Sequence, residues 1–195
     1  MTGKETEILK CEKFYIIAMA ASGKSTFANN YPTYNGYRTI DFAERLPPIS
    51  KWTKLILYVS RIIKPLRKII RHRPEMVARR ENNYFRQAFD FIIGHDQPIV
   101  VFGRRPPNEF EDLPVHDKIK FAMVLIPEGD HRRNCASRKK ELRNPFPLFH
   151  HWTTDFEKIQ SVRNSLKRYA EVHDITVYDS ISGAIDDMHR RFNAD

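Results

Sequence analysis

Cysteine is scarce in this sequence. Cys11 and Cys135 are the only two in 195 residues, which makes neither a disulfide framework nor a metal-binding pattern and fits a reducing compartment. No apolar run reaches the roughly 18 residues that a membrane-crossing helix needs. The first ten residues, Met1 to Lys10, are polar and lack the apolar core of a signal peptide. A soluble protein of the cytoplasm (the host's, if the source is a virus) is therefore expected. Acidic residues are missing from one place in particular. Between Lys51 and Arg80 there are ten Lys and Arg but a single acid, Glu75, while the rest of the chain carries 23 of each sign. The whole net charge of +9 thus sits in one segment. Such a concentration points to a polyanion, either nucleic acid or an anionic membrane. There is no internal repeat, and 41% apolar residues over this length predict one globular domain spanning 1–195.

Against these absences stands one highly organised stretch. Phe14 to Ile17 is an apolar run that reads as a buried strand, and it gives way to Ala18-Met19-Ala20-Ala21-Ser22. Gly23-Lys24-Ser25-Thr26 then opens a helix. Strand, small-residue loop and helix in this order form the setting of a phosphate-binding P-loop. Backbone N–H groups of Ala20 to Thr26 would face the phosphates. Lys24 would reach the β- and γ-phosphates, and Ser25 would hold Mg²⁺ through its hydroxyl. The pattern asks for glycine at its first position, where this chain has Ala18, a residue that resists positive φ. The small residues that follow still permit close approach to a phosphate.

Further along, Tyr37 to Phe42 reads as the second strand, with Asp41 at its end. From Trp52 to Ile70 the apolar residues recur at helical spacing, with Lys54, Arg61, Lys64, Lys68 and Arg71 on the other side. This predicts a basic amphipathic helix inside an insertion at about 47–94. A second helix is expected from Glu75 to Ile93, with Tyr84, Phe85, Ala88, Phe89 and Ile92 inward. Gln97 to Gly103 is the third strand and Lys120 to Ile126 the fourth. A Lys/Arg-rich segment from His131 to Arg143 leads into an aromatic stretch that includes His150 and His151. Asp155 to Val172 reads as a helix, Ile175 to Tyr178 as the fifth strand and Ser182 to Phe192 as a closing helix. Asp179 is read as the cap of that last helix, with a place at the edge of an adenine pocket as the alternative. Strands alternating with helices predict an α/β fold, a five-stranded parallel sheet covered on both faces.

In such sheets ligands bind beyond the carboxyl ends of the strands. The P-loop, Asp41 and the Gly103-Arg104-Arg105 turn all fall there. With these residues the chain resembles the nucleoside and nucleotide kinase group of P-loop proteins, which includes thymidylate kinase-like enzymes, polynucleotide kinases and phage enzymes that phosphorylate hydroxymethyluracil in DNA. The resemblance spans the order of elements, but its specific motif is the P-loop plus Asp41. It implies ATP and Mg²⁺ as cofactors, with Asp41 touching the acceptor hydroxyl or joining Ser25 on the metal. It also implies an arginine after strand three that holds the acceptor, Arg104 or Arg105, and an arginine-bearing lid at about 131–152. Arg132, Arg133, Arg138 and Arg143 are the lid candidates, Arg132 for the transferring phosphoryl group and Arg138 for the nucleotide. Guanidinium groups suit both tasks because they stay protonated. Strand three ends Val101-Phe102-Gly103, without the acidic metal ligand of motor and switch ATPases.

The acceptor is expected in the basic insertion. Trp52, Tyr58, Tyr84 and Phe85 among its cations fit a nucleic-acid strand, DNA foremost, with Tyr58 placed to stack on a base. Phosphorylation of free nucleosides or their monophosphates is the alternative. A non-catalytic module that binds nucleotide and attaches to a membrane through its basic helix is a third.

Overall fold

The computed structural model describes residues 13–42, 86–103, 118–141 and 156–193. The helix expected over Trp52 to Ile70 lies outside the described residues. So do Cys11, Tyr84, Phe85, Arg104, Arg105, Arg143, His150 and His151. Of the insertion at about 47–94, the described part is helical over 86–93.

Among the described residues, six strands make one sheet. They are β1 (Lys13–Ala18), β2 (Thr33–Tyr34), β3 (Tyr37–Asp41), β4 (Ile99–Gly103), β5 (Lys120–Val124) and β6 (Val177–Tyr178), in the spatial order β2-β3-β4-β1-β5-β6. The helices are α1 (Lys24–Asn30), α2 (86–93), α3 (Glu128–Glu141), α4 (Phe156–Val172) and α5 (Ile181–Asn193). β1 lies between β4 and β5 and pairs parallel with both. β3 with β4 and β5 with β6 are parallel too. The mostly parallel α/β sheet is thus present, with one strand more than expected. The extra strand is β2, antiparallel to β3. It exists because Asn35 and Gly36 both take positive φ, 49° and 81°, as a tight two-residue hairpin requires.

Alternation along β1 builds a core on each side of the sheet. Phe14, Ile16 and Ala18 pack with Ala28 of α1 and with Ile181, Ala184, Ile185 and Met188 of α5. Tyr15 and Ile17 pack with Ala88, Phe89 and Ile92 of α2, Cys135 of α3, and Ile159, Leu166 and Ala170 of α4. A strand buried on both faces reads as a continuous apolar run. Each large side chain so buried stabilises by roughly 2 kcal/mol. β1 is therefore a rigid base for the loop that leaves it.

The missing acid at the end of β4 has a steric reason. A Cβ on Gly103 would lie 1.6 Å from the Tyr15 hydroxyl. The Tyr15 ring cannot yield easily, since it is fully buried between Phe89 and Phe121, with centroids 6.1 and 6.0 Å away. Gly103→Ala is expected to destabilise by about 2–3 kcal/mol through overpacking. For a chain of this size that lowers the melting temperature by roughly 5–10 °C. Unchanged thermal unfolding would contradict this account of the strand end.

Candidate functional site

The loop between β1 and α1 takes its shape from two residues in the left-handed region. Ala18 is extended, as the last residue of β1. The positive φ angles fall later, at Ala21 (60°) and Gly23 (87°). Glycine is therefore not needed at the first loop position, and the sequence's departure there is harmless. Ala21 is the strained residue instead. A non-glycine residue in this region costs about 1 kcal/mol or more, so its surroundings must hold it.

Lys24 turns back over the loop. It is buried, and its ammonium donates to the carbonyls of Ala18 (3.0 Å) and Met19 (2.6 Å). Its neighbour Ser25 donates from Oγ to Oδ2 of Asp41 at 2.6 Å. This bond joins the start of α1 to the end of β3. β4, which ends at Gly103, lies between β1 and β3 in the sheet. Asp41 is itself buried. The residue pair picked out by its position in the sequence is thus in direct contact.

These groups border a cleft of about 930 Å³ at the carboxyl edge of the sheet. Ala20, Ala21, Ser22, Gly23, Lys24, Ser25, Thr26 and Asp41 all line it. Three further elements close it: the loop after β5 with Ile126 and Pro127, α3, and the β6–α5 turn with Asp179 and Ser182. Ser22 is buried in this wall, and its hydroxyl has no hydrogen-bond partner among the described residues.

The segment expected to be an arginine lid is, over Glu128 to Glu141, the helix α3. Acids in its first turn, Glu128 and Asp130, suit the helix dipole. Asp130, Asn134, Ser137 and Arg138 border the cleft, a spacing that marks one helical face. Arg132 is on another side. Its guanidinium lies 4.4 Å from the Phe156 ring centre and 3.7 Å from Glu128, and it does not border the cleft. Arg133 pairs with Asp130. Of the described arginines expected in the lid, the structure brings Arg138 to the cleft and leaves Arg132 and Arg133 outside it.

The buried face of α3 carries His131 and Cys135. Burial pushes the Cys135 thiol above its ordinary pKa, with Arg138 opposing. His131 meets the β1–α1 loop, with Nε2 2.8 Å from the carbonyl oxygen of Ala20. Asn134, one turn on, donates from Nδ2 to the carbonyl of Ala21 at 3.0 Å. α3 is fixed in turn by Arg163 of α4, which donates to the carbonyls of Ile126 (2.6 Å) and Leu125 (3.3 Å) just before it. Sequence reasoning overlooked both His131 and Asn134. They stand in a segment conspicuous only for its arginines, more than a hundred residues from the loop they contact.

The β6–α5 turn corrects one expectation. The cap of α5 is Ser180, whose Oγ accepts the N–H of Gly183 at 3.2 Å, and Asp179 instead borders the cleft. A serine immediately before the helix was the signal for this.

Among the described residues, no helix is long and apolar enough to cross a membrane. The same residues contain no group of three or more His, Cys, Asp or Glu able to hold a metal ion. The sequence matches no protein-family model and no curated protein. Among solved structures, a gluconokinase from Sinorhizobium meliloti 1021 is similar over 68% of each chain, with a TM-score of 0.42 and 15% identity. So distant a likeness adds nothing to what the geometry itself says.

Proposed function

We propose that this chain is an ATP-dependent kinase that transfers a phosphoryl group to a hydroxyl on a nucleic acid, DNA foremost. One observation carries the kinase reading. A buried lysine and a bonded serine–aspartate pair lie together at the carboxyl edge of a parallel sheet, in the wall of a cleft of about 930 Å³. Pockets of about 300–1,000 Å³ are typical for small-molecule ligands.

In this reading the carbonyls that now hold Lys24 give way to phosphate oxygens, and the ammonium neutralises their charge. Ser25 and Asp41 offer oxygen donors of the kind Mg²⁺ takes, usually alongside substrate phosphates and water. When bound, the ion would offset charge on the phosphates. Asp41 would orient the acceptor hydroxyl and take its proton. Arg138, which borders the cleft, would meet the nucleotide. Arg104, immediately after β4 in the sequence, would hold the acceptor. Arg132 would have to leave Phe156 to serve the phosphoryl group.

The nucleic-acid acceptor rests on the sequence, namely the +9 concentrated between Lys51 and Arg80. Changing Lys54, Arg61, Lys64 and Lys68 to Gln keeps helix propensity and leaves the apolar positions untouched. If a strand crosses these cations, each lost phosphate contact reduces the salt slope of binding by somewhat under one unit. Affinity for oligonucleotides should then fall by several orders of magnitude at low salt and much less at high salt. KM for deoxynucleoside monophosphates should change by a few fold at most, because the field is screened within about 10 Å. An unchanged oligonucleotide slope would overturn the nucleic-acid acceptor in favour of free nucleotides.

A further inference from the structure

Two peptide planes set the backbone angles of Ala21. The plane carrying the Ala20 carbonyl fixes φ, and the plane carrying its own carbonyl fixes ψ. Each of these carbonyls accepts a hydrogen bond from α3, the first from His131 (2.8 Å) and the second from Asn134 (3.0 Å). Ala21 is also the one alanine of the loop at positive φ, 60°. We infer that α3 acts as a clamp on the phosphate loop, with His131 and Asn134 as positioning residues that hold Ala21 in the left-handed conformation. On a trans peptide the carbonyl and the next N–H point in opposite directions. Pinning the Ala20 carbonyl to α3 therefore turns the Ala21 N–H away from that helix. The loop so held keeps its shape before any ligand arrives, which is where preorganisation helps binding. This extends the nucleotide-site reading above and rests on it for what the loop binds.

A carbonyl accepts, so Nε2 of His131 must carry hydrogen; in the neutral ring this leaves Nδ1 bare. Nδ1 is buried and has no hydrogen-bond partner among the described residues. The charged groups facing the ring are Lys24 of α1 and Arg163 of α4, both cations. Phe156 of α4 meets it edge-on at 6.2 Å. A proton on Nδ1 would be buried beside two positive charges. Burial above all holds the His131 pKa below 6.5; the Ala20 carbonyl opposes it, and the two cations add to the lowering. The unfolded chain then takes up the proton first. The contribution of His131 to stability is complete above pH 6.5 and is lost as pH falls from there toward the folded-state pKa.

Amide hydrogen exchange over residues 19–24 of the nucleotide-free full chain tests the clamp, with ADP affinity by calorimetry in parallel. His131→Leu and Asn134→Ala should each speed exchange of these amides by about five- to tenfold and weaken ADP by a similar factor, the effect of one lost hydrogen bond. His131→Gln keeps an N–H donor and should restore most of both, and should remove the fall in loop protection expected of the parent as pH drops toward the lowered His131 pKa. Adding Ala21→Gly to His131→Leu should reduce the loss, since glycine adopts this conformation without strain. Unaltered loop exchange in His131→Leu and Asn134→Ala would overturn the clamp. So would a glutamine variant that behaves like leucine. If the parent protein fails to bind ADP, the nucleotide reading fails, and the exchange comparison still decides the clamp.

Discussion

Lys24→Ala should lower phosphoryl transfer by about a hundredfold or more, measured per folded molecule. The lysine brings a full charge from a buried position, and loss of one such contact typically has this effect. The sequence alone treats Lys24 as a phosphate contact with no share in the fold. The structure adds that its ammonium holds the Ala18 and Met19 carbonyls. The variant should therefore also melt somewhat lower, each lost bond contributing about 1 kcal/mol. Steady-state turnover and thermal unfolding of the same preparation separate the two effects. Near-parent turnover from a protein of reduced stability would make Lys24 a structural residue and remove the P-loop assignment.

Asp41→Asn is expected to depress kcat by about a hundredfold or more, with KM for ATP within a few fold. General-base contributions of that size are usual, and a drop in kcat at steady KM marks an interaction made in the transition state. The amide oxygen can still accept the Ser25 hydroxyl that now reaches Oδ2, so the link between α1 and β3 survives and the fold with it. The measurement is kcat and KM together with a melting curve. A large fall in stability with unchanged activity in the folded fraction would reduce Asp41 to a tie between two elements.

What could be read from the sequence divides along physical lines. β1 and β4 were legible because strands buried on both faces are unbroken apolar runs. The cradle of small residues around Lys24 was legible because it interrupts such a run. The meeting of Ser25 with Asp41 was legible because both fall at the carboxyl edge of the sheet. β2 escaped because two residues give no alternation, although Asn35-Gly36 was a hairpin signal in plain view. α3 was visible only as a cluster of cations. Its buried face is His131 and Cys135, neither an aliphatic residue, so no helical period stood out. The bonds from His131 and Asn134 to the loop span 111 and 113 residues, and no local pattern encodes a contact at that range. Gly103 looked like a missing acid. Its true constraint is the ring of Tyr15, two residues before the position on β1 that Gly103 faces.

The central claim is that the cleft transfers a phosphoryl group from ATP to a hydroxyl. The most direct measurement is transfer of label from ATP labelled at the γ-phosphate. The whole protein is incubated with Mg²⁺ and, in parallel, single-stranded DNA, duplex DNA, RNA, free nucleosides and deoxynucleoside monophosphates. The account predicts label in an oligonucleotide, dependent on Mg²⁺ and lost with Lys24→Ala and Asp41→Asn. Label in a free nucleoside or nucleotide would keep the kinase and change its acceptor. ATP bound without transfer to any of these would contradict the kinase itself.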